Sequence, residues 1–236
     1  MISVLQTRLT EIQSRIESAA LRAGRDAREV VLLAVSKKQP IERVIPLLEL
    51  GSYSLGENYV QAAEERKLEL ATYDFAMHLI GPLQRNKAKK AVELFDLIHS
   101  VDRESLALEI DKQAKKLGVK QAVLLQVNVS AESSKAGIAP NDFFLLLGLI
   151  KSLAHVELQG LMCIGSPLIE GSTEEDSRAE FAMLRKLREE AQEYLGYELP
   201  HLSMGMSNDF ELAIEEGATI IRVGSALFGP RGKVAE

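Results

Sequence analysis

Cysteine is almost missing from this chain of 236 residues: Cys163 stands alone, so no internal disulfide can staple the fold. That fits a reducing compartment. No apolar stretch approaches the length a transmembrane helix needs. The N-terminal MISVLQTRLTEIQSRIESAALRAG is charged and amphipathic, without the uninterrupted apolar core of a signal peptide. Positive charge is not in excess either. At a formal net charge of -6, the chain as a whole has nothing to attract nucleic acid or an anionic membrane. A soluble cytoplasmic protein is expected. The four histidines (His78, His99, His155, His201) are scattered, with no H-x-x-x-H pair or carboxylate cluster, so no metal is expected. The basic run QRNKAKK, residues 84–90, lacks the interleaved aromatics of a nucleic-acid patch and reads as a solvated helix face.

What is present is a rhythm. Short apolar runs predict strands at Val31–Val35, Tyr53–Leu55, Phe75–Ile80, Leu97–Ser100, Ala122–Val127, Leu158–Met162, His201–Ser203 and Ile220–Val223. Amphipathic helical patterns alternate with them, and an extra helix with Ile2, Leu5, Leu9, Ile12 and Ile16 at helical spacing precedes them, ending near Gly24. Gly51, Gly118, Gly196 and Gly217 sit where a helix end wants a left-handed residue. Eight strands in βα alternation predict one α/β domain spanning residues 1–236, a (β/α)8 TIM barrel with an N-terminal helix over residues 1–24. The rival, an open doubly wound sheet, loses ground because no G-x-G-x-x-G turn follows the first strand.

The stretch VVLLAVSKKQP, residues 30–40, carries two lysines at the mouth of the first strand. Side chains alternate along a strand. Val31, Leu33, Val35 and Lys37 share one face; Leu32, Ala34, Ser36 and Lys38 share the other. Barrel interiors favour branched aliphatics, so the Val-Leu-Val face is the inner one. Lys37 is then aimed into the mouth and Lys38 into solvent. A partly desolvated lysine there shifts toward the neutral amine, which can attack a carbonyl and form a Schiff base. The plain alternative is a surface lysine opening a loop.

Two later stretches suit a phosphate. HLSMGMSNDFELAIEEG, residues 201–217, runs from a strand into a helix with Ser207 or Asn208 as N-cap. IIRVGSALFG, residues 220–229, ends a strand at Arg222 and turns at Gly224 and Ser225. Barrels frequently bind phosphate in the loops after strands seven and eight. Gly224 would let the backbone approach, the N–H groups of Gly224 and Ser225 would point at the anion, and Ser203 could add a hydroxyl. Singly, each piece has an ordinary reading as a turn or a cap. Together, a phosphate cradle opposite a Schiff-base lysine describes the needs of pyridoxal 5'-phosphate.

The chain resembles the YggS/PROSC family, the pyridoxal phosphate homeostasis proteins, over essentially its whole length. The marks are LLAVSKKQP, LGENYVQ, HLIGPLQRNK, SSKAGI, GLMCIG, LSMGMSNDF and RVGSALFG. The resemblance implies a barrel like the N-terminal domain of alanine racemase and other fold-type III enzymes. It implies that Lys37 carries the cofactor as an internal aldimine and that Ser203, Gly224 and Ser225 hold the phosphate. It also moves Arg222 from the phosphate to the pyridine nitrogen, where a fixed positive charge disfavours ring protonation and weakens the electron sink. Asn58 corresponds to a residue beside the cofactor. His78 and Met162 are expected to line the pocket, with core packing as the plain alternative, and Lys135, in the family stretch SSKAGI, is only a candidate for a secondary contact. The chain departs from the common SKTKP pattern, with Lys38 and Gln39 after Lys37, and has Leu55 where phenylalanine is common.

Racemases of this fold take a second catalytic base from an additional C-terminal domain. This chain ends at Glu236 without one. The resemblance therefore implies a protein of vitamin B6 and amino/keto acid homeostasis that holds pyridoxal phosphate and exchanges it with small amines or amino acids, without robust turnover. The alternatives are a slow pyridoxal-phosphate racemase or lyase, and a cofactor-free Schiff-base aldolase. A monomer is expected.

Overall fold

The computed structural model describes residues 2–51, 53–130, 136–166 and 173–229. Lys135 lies outside the described residues. The strands are β1 Val31–Val35, β2 Ser54–Glu57, β3 Met77–Leu79, β4 Leu97–Val101, β5 Gln121–Gln126, β6 Val156–Met162, β7 His201–Met206 and β8 Ile220–Val223. They pair in parallel in sequence order, and β1 pairs with β8, which closes the barrel. The helices are α1 Ile2–Arg22, α2 Ile41–Glu49, α3 Val60–Glu69, α4 Ala88–Leu94, α5 Glu104–Leu117, α6 Phe143–Ser152, α7 Glu174–Leu195, α8 Phe210–Glu215 and α9 Ser225–Phe228. The expected βα alternation and (β/α)8 class are therefore what the chain adopts. Among the described residues, no helix is long and apolar enough to cross a membrane.

Two apolar layers make the core. Between strands and helices lie residues such as Ala34, Leu55, Leu79, Ile98, Val123 and Leu161. Inside the barrel, Leu33, Leu97, Leu124, Met162 and Ile220 form a second cluster, flanked by Ile80 and Ala122. Leu33 inside and Ala34 outside fix the pleat of β1, so the alternation argument for its two faces holds.

The N-terminal helix packs outside the barrel wall. Leu5, Leu9, Ile12 and Ile16 are buried, and the helix lies along α8 and α9. Arg15 and Arg22 pair with Glu211 and Glu215 at 2.6 and 2.7 Å. Both pairs are partly exposed, so each adds well under ~1 kcal/mol. Burial of the leucine and isoleucine stripe holds the helix down. The left-handed helix ends expected at Gly118 and Gly196 are present, with φ 68 and 80. Gly51 differs: Leu50 ends α2 in the right-handed region and Gly51 stands at φ 157.

Candidate functional site

The C-terminal ends of β1, β2, β7 and β8 gather most of the expected site. After β1 the chain makes a tight turn, in which Gln39 N donates to Ser36 O at 3.0 Å. Lys37 and Lys38 are its two central residues. Lys37 is half-buried and Lys38 exposed. Lys38 is the one described non-glycine residue with positive φ, at 58°. A left-handed backbone costs a residue with a Cβ about 1–2 kcal/mol, so this turn is strained and something must hold it.

Behind the turn, on the face away from the mouth, lies a buried polar cluster. Ser36 Oγ donates to Glu57 Oε1 at 2.6 Å. Arg66, from α3, donates through Nη2 to Gln39 O at 2.7 Å and to Ser36 O at 3.3 Å. Its Nε stands 3.7 Å from Glu57 Oε1. Burial pushes the Glu57 carboxyl up, against the pull of Ser36, Arg66, the Asn58 N–H and Lys37. Ser36, Glu57 and Arg66 were not selected from the sequence.

Asn58 follows β2 at the mouth. Its Oδ1 is buried and has no hydrogen-bond partner. The loop after β3 presses on it: a Cβ at Gly81 would stand 2.3 Å from Asn58 O, so only glycine fits there.

Opposite, Gly224 begins the turn between β8 and α9. A Cβ built on it would meet Val35 at 3.4 Å, an ordinary contact, so the fold itself does not demand glycine. Ser225 is exposed. Ser207, at the end of β7, accepts from Ala226 N across 3.4 Å, which brings its hydroxyl to the same turn. The N-cap expected at Ser207 or Asn208 is instead Asp209, whose carboxylate takes the Met206 N–H.

Four of the expected residues, Ser203, His78, Met162 and Arg222, lie deeper. Strand β7 runs on to Met206, so Ser203 is mid-strand and fully buried on the barrel axis. Its Oγ accepts from Arg222 Nη1 at 2.9 Å and lies 2.9 Å from His99 Nδ1. His99 Nε2 in turn lies 3.0 Å from His78 Nδ1. The expected β3 starts two residues late, at Met77, so His78 stands near the opening of its strand, in this chain of hydrogen bonds. Met162 is fully buried in the inner apolar cluster. Arg222 also donates from Nη2 to Cys163 O at 2.9 Å. Burial pulls the guanidinium below its ordinary value, but arginine keeps its charge in proteins. Burial holds His78 down at about 4, and burial with the charges of His78 and Arg222 holds His99 well below its ordinary value. Both imidazoles are neutral near pH 7.

The mouth thus offers an amine, an unpartnered amide oxygen and a glycine-serine turn, with the buried Arg222 cation beneath them. No cluster of metal-ligating side chains occurs among the described residues. The family profile described as alanine racemase, N-terminal domain, matches residues 8–232. The chain belongs to this family. Within it, the pyridoxal phosphate homeostasis protein of Aquifex aeolicus (strain VF5) is 44% identical, over 95% of this chain and 97% of that protein. The homologue of the same name from Pseudomonas aeruginosa is 42% identical, over 98% and 97%. PipY of Synechococcus elongatus PCC7942, solved with PLP bound, superposes with a TM-score of 0.81 at 42% identity, covering 92% of this chain and 100% of that one. The residues gathered at this family member's mouth fit such a group. Its amine suits an aldehyde, and the Gly224–Ser225 turn with the Ser207 and Ser225 hydroxyls suits a phosphate.

Proposed function

We propose that this protein binds pyridoxal 5'-phosphate at the mouth of the barrel and serves its homeostasis, taking it up and giving it to amines. The reading is carried by one juxtaposition: Lys37 stands two residues beyond Val35, the residue on which the Gly224 turn packs. An amine and an anion cradle are then neighbours across the β1–β8 seam. The names of the relatives, and the bound PLP of the cyanobacterial protein, support it.

When bound, pyridoxal phosphate supplies an aldehyde that condenses reversibly with amines. Lys37 would hold it covalently. The N–H groups of Gly224 and Ser225, with the hydroxyls of Ser207 and Ser225, would hold the phosphate. Asn58 would offer its unpartnered oxygen beside the ring. Arg222, fixed by Ser203 and Cys163 O, would keep a positive charge at the ring nitrogen and disfavour its protonation. That favours holding the group over using it to drive turnover. The interior serine, Ser203, orients Arg222 on this reading.

The test is a visible spectrum of the purified full chain with added pyridoxal phosphate, then borohydride and peptide mapping. A yellow band that bleaches and leaves a pyridoxyl group on Lys37 is expected. A label on Lys38 would overturn the choice of lysine. A chain that stays colourless would sink the proposal and favour a Schiff-base aldolase.

A further inference from the structure

The Lys37 turn poses a problem that its own sequence does not solve. Lys38 holds a left-handed backbone at φ 58, where lysine has no local advantage over other residues with a Cβ. Asparagine or glycine is the usual occupant. Strain of this kind persists only where surrounding structure over-determines it, and it clusters at functional sites.

Here the surroundings are specific. Both carbonyls that flank the two lysines, Ser36 O and Gln39 O, accept from the same Arg66 nitrogen. The Ser36 hydroxyl is held by Glu57, and Glu57 faces Arg66. Ser36, Gln39, Glu57 and Arg66 are all buried, with 0, 6, 1 and 8% of their surface exposed. Burying a carboxylate and a guanidinium is costly, and Glu57 Oε2 and Arg66 Nε find no hydrogen-bond partner. A purely structural corner could be filled more cheaply by apolar side chains. What this cluster does that apolar side chains could not is fix two backbone carbonyls and one hydroxyl, all in the turn that carries Lys37.

We infer that Glu57 and Arg66 are positioning residues: with Ser36 they clamp the turn in its left-handed form and so aim Lys37 into the mouth. Neither touches the mouth itself, because they lie on the opposite face of β1 and β2 from Leu33 and the inner cluster. The inference rests on the proposed role of Lys37 and goes beyond it in saying what sets that lysine's geometry.

The test is a rescue. The full chain, freed of cofactor with hydroxylamine, is mixed with pyridoxal phosphate and the growth of the yellow band is timed. Glu57→Gln and Arg66→Met are each expected to slow capture by about tenfold or more, the scale on which misplaced reacting groups act. Adding Lys38→Gly to either variant is expected to restore most of the rate, because glycine takes positive φ without a clamp. Independently of the cofactor, formaldehyde and cyanoborohydride methylate lysines. Peptide mapping should show the labelling ratio of Lys37 to the distant, exposed Lys116 altered in the single variants and returned toward wild type by Lys38→Gly. Wild-type capture rates and ratios in the single variants, or slowed capture that Lys38→Gly leaves unchanged, would overturn the inference. If Glu57→Gln and Arg66→Met do not fold, Ser36→Ala must show the same loss and rescue. A wild type that never captures pyridoxal phosphate would remove the functional proposal, while the labelling ratio would still decide the clamp.

Discussion

His78 Nδ1 and His99 Nε2 lie 3.0 Å apart on the barrel axis, so a single proton sits between two neutral rings. Arg222 can only donate, and Ser203 Oγ receives from it. The Ser203 hydroxyl can then donate to His99 Nδ1, which makes His99 donate from Nε2 to His78. The opposite order has His78 donating to His99 and His99 to Ser203, which frees the serine proton. Each order satisfies the chain only while both rings are neutral, and a second proton would break it.

Acid should therefore unfold this protein through the barrel axis. His78 is held at about 4, against 6.5 when unfolded. A depressed histidine contributes stability that is fully present above the unfolded value and is lost as pH falls through the folded one. The window is thus from about pH 6.5 down to about 4, and at ~1.4 kcal/mol per unit the loss from His78 is on the order of 3 kcal/mol. Urea unfolding at pH 7 and pH 4.5 measures it. His78→Gln should be less stable at pH 7 and lose less on acidification. Equal losses in the two proteins would refute the assignment.

Replacing Gly224 by alanine should separate fold from binding. The added methyl meets Val35 at an ordinary distance, so the melting temperature should change little. It would stand beside the N–H groups proposed to hold the phosphate. Gly224→Ala and Ser207→Ala are expected to weaken binding of pyridoxal phosphate by about tenfold, the worth of a charge-assisted hydrogen bond or two. Binding of pyridoxal, which has no phosphate, should hardly change. Fluorescence titration with both compounds reads this directly. Equal weakening of both would place the phosphate elsewhere.

Much of this site could be read in the sequence because strand alternation is a strong rule. Leu33 against Ala34 shows which face of β1 is the inner one, the rule by which Lys37 was chosen over Lys38. Depth along a strand was harder. Apolar runs end where side chains turn polar, and β7 ends in the alternation Ser203-Met204-Gly205-Met206, which hides its length. Ser203 was thus expected at the mouth and lies inside, while Ser207 passed for a helix cap. Glu57 and Arg66 left no signal at all. They are nine positions apart on a strand and a helix, and charged residues of those types are ordinarily solvated. Only the fold brings them together under the Lys37 turn.

Cys163 should behave as an inert thiol in the native protein. It is fully buried, and burial pushes it up to about 12. The thiolate is the nucleophile, and at pH 8 almost none is present. Iodoacetamide is expected to label native protein at least about a thousandfold more slowly than protein in urea. Labelling followed by mass spectrometry checks this. Fast native labelling would mean that the β6 end opens readily.

Arg222 is where holding a cofactor and using it would part. Its charge is fixed on the barrel axis by Ser203 and by Cys163 O. On the proposed placement it denies the ring nitrogen a proton, and an unprotonated ring withdraws electrons poorly. Arg222→Gln removes the charge but keeps a donor. The shorter side chain leaves Cys163 O unpaired, so a loss of ~1–3 kcal/mol in stability is expected. Each unit by which the ring nitrogen then gains basicity raises its protonated fraction about tenfold. Loaded Arg222→Gln should therefore exchange the α-proton of alanine in heavy water faster than the loaded parent by about that factor. Proton magnetic resonance of the alanine signal measures it. A variant that binds pyridoxal phosphate as a yellow protein and shows no faster exchange would remove Arg222 from the ring nitrogen.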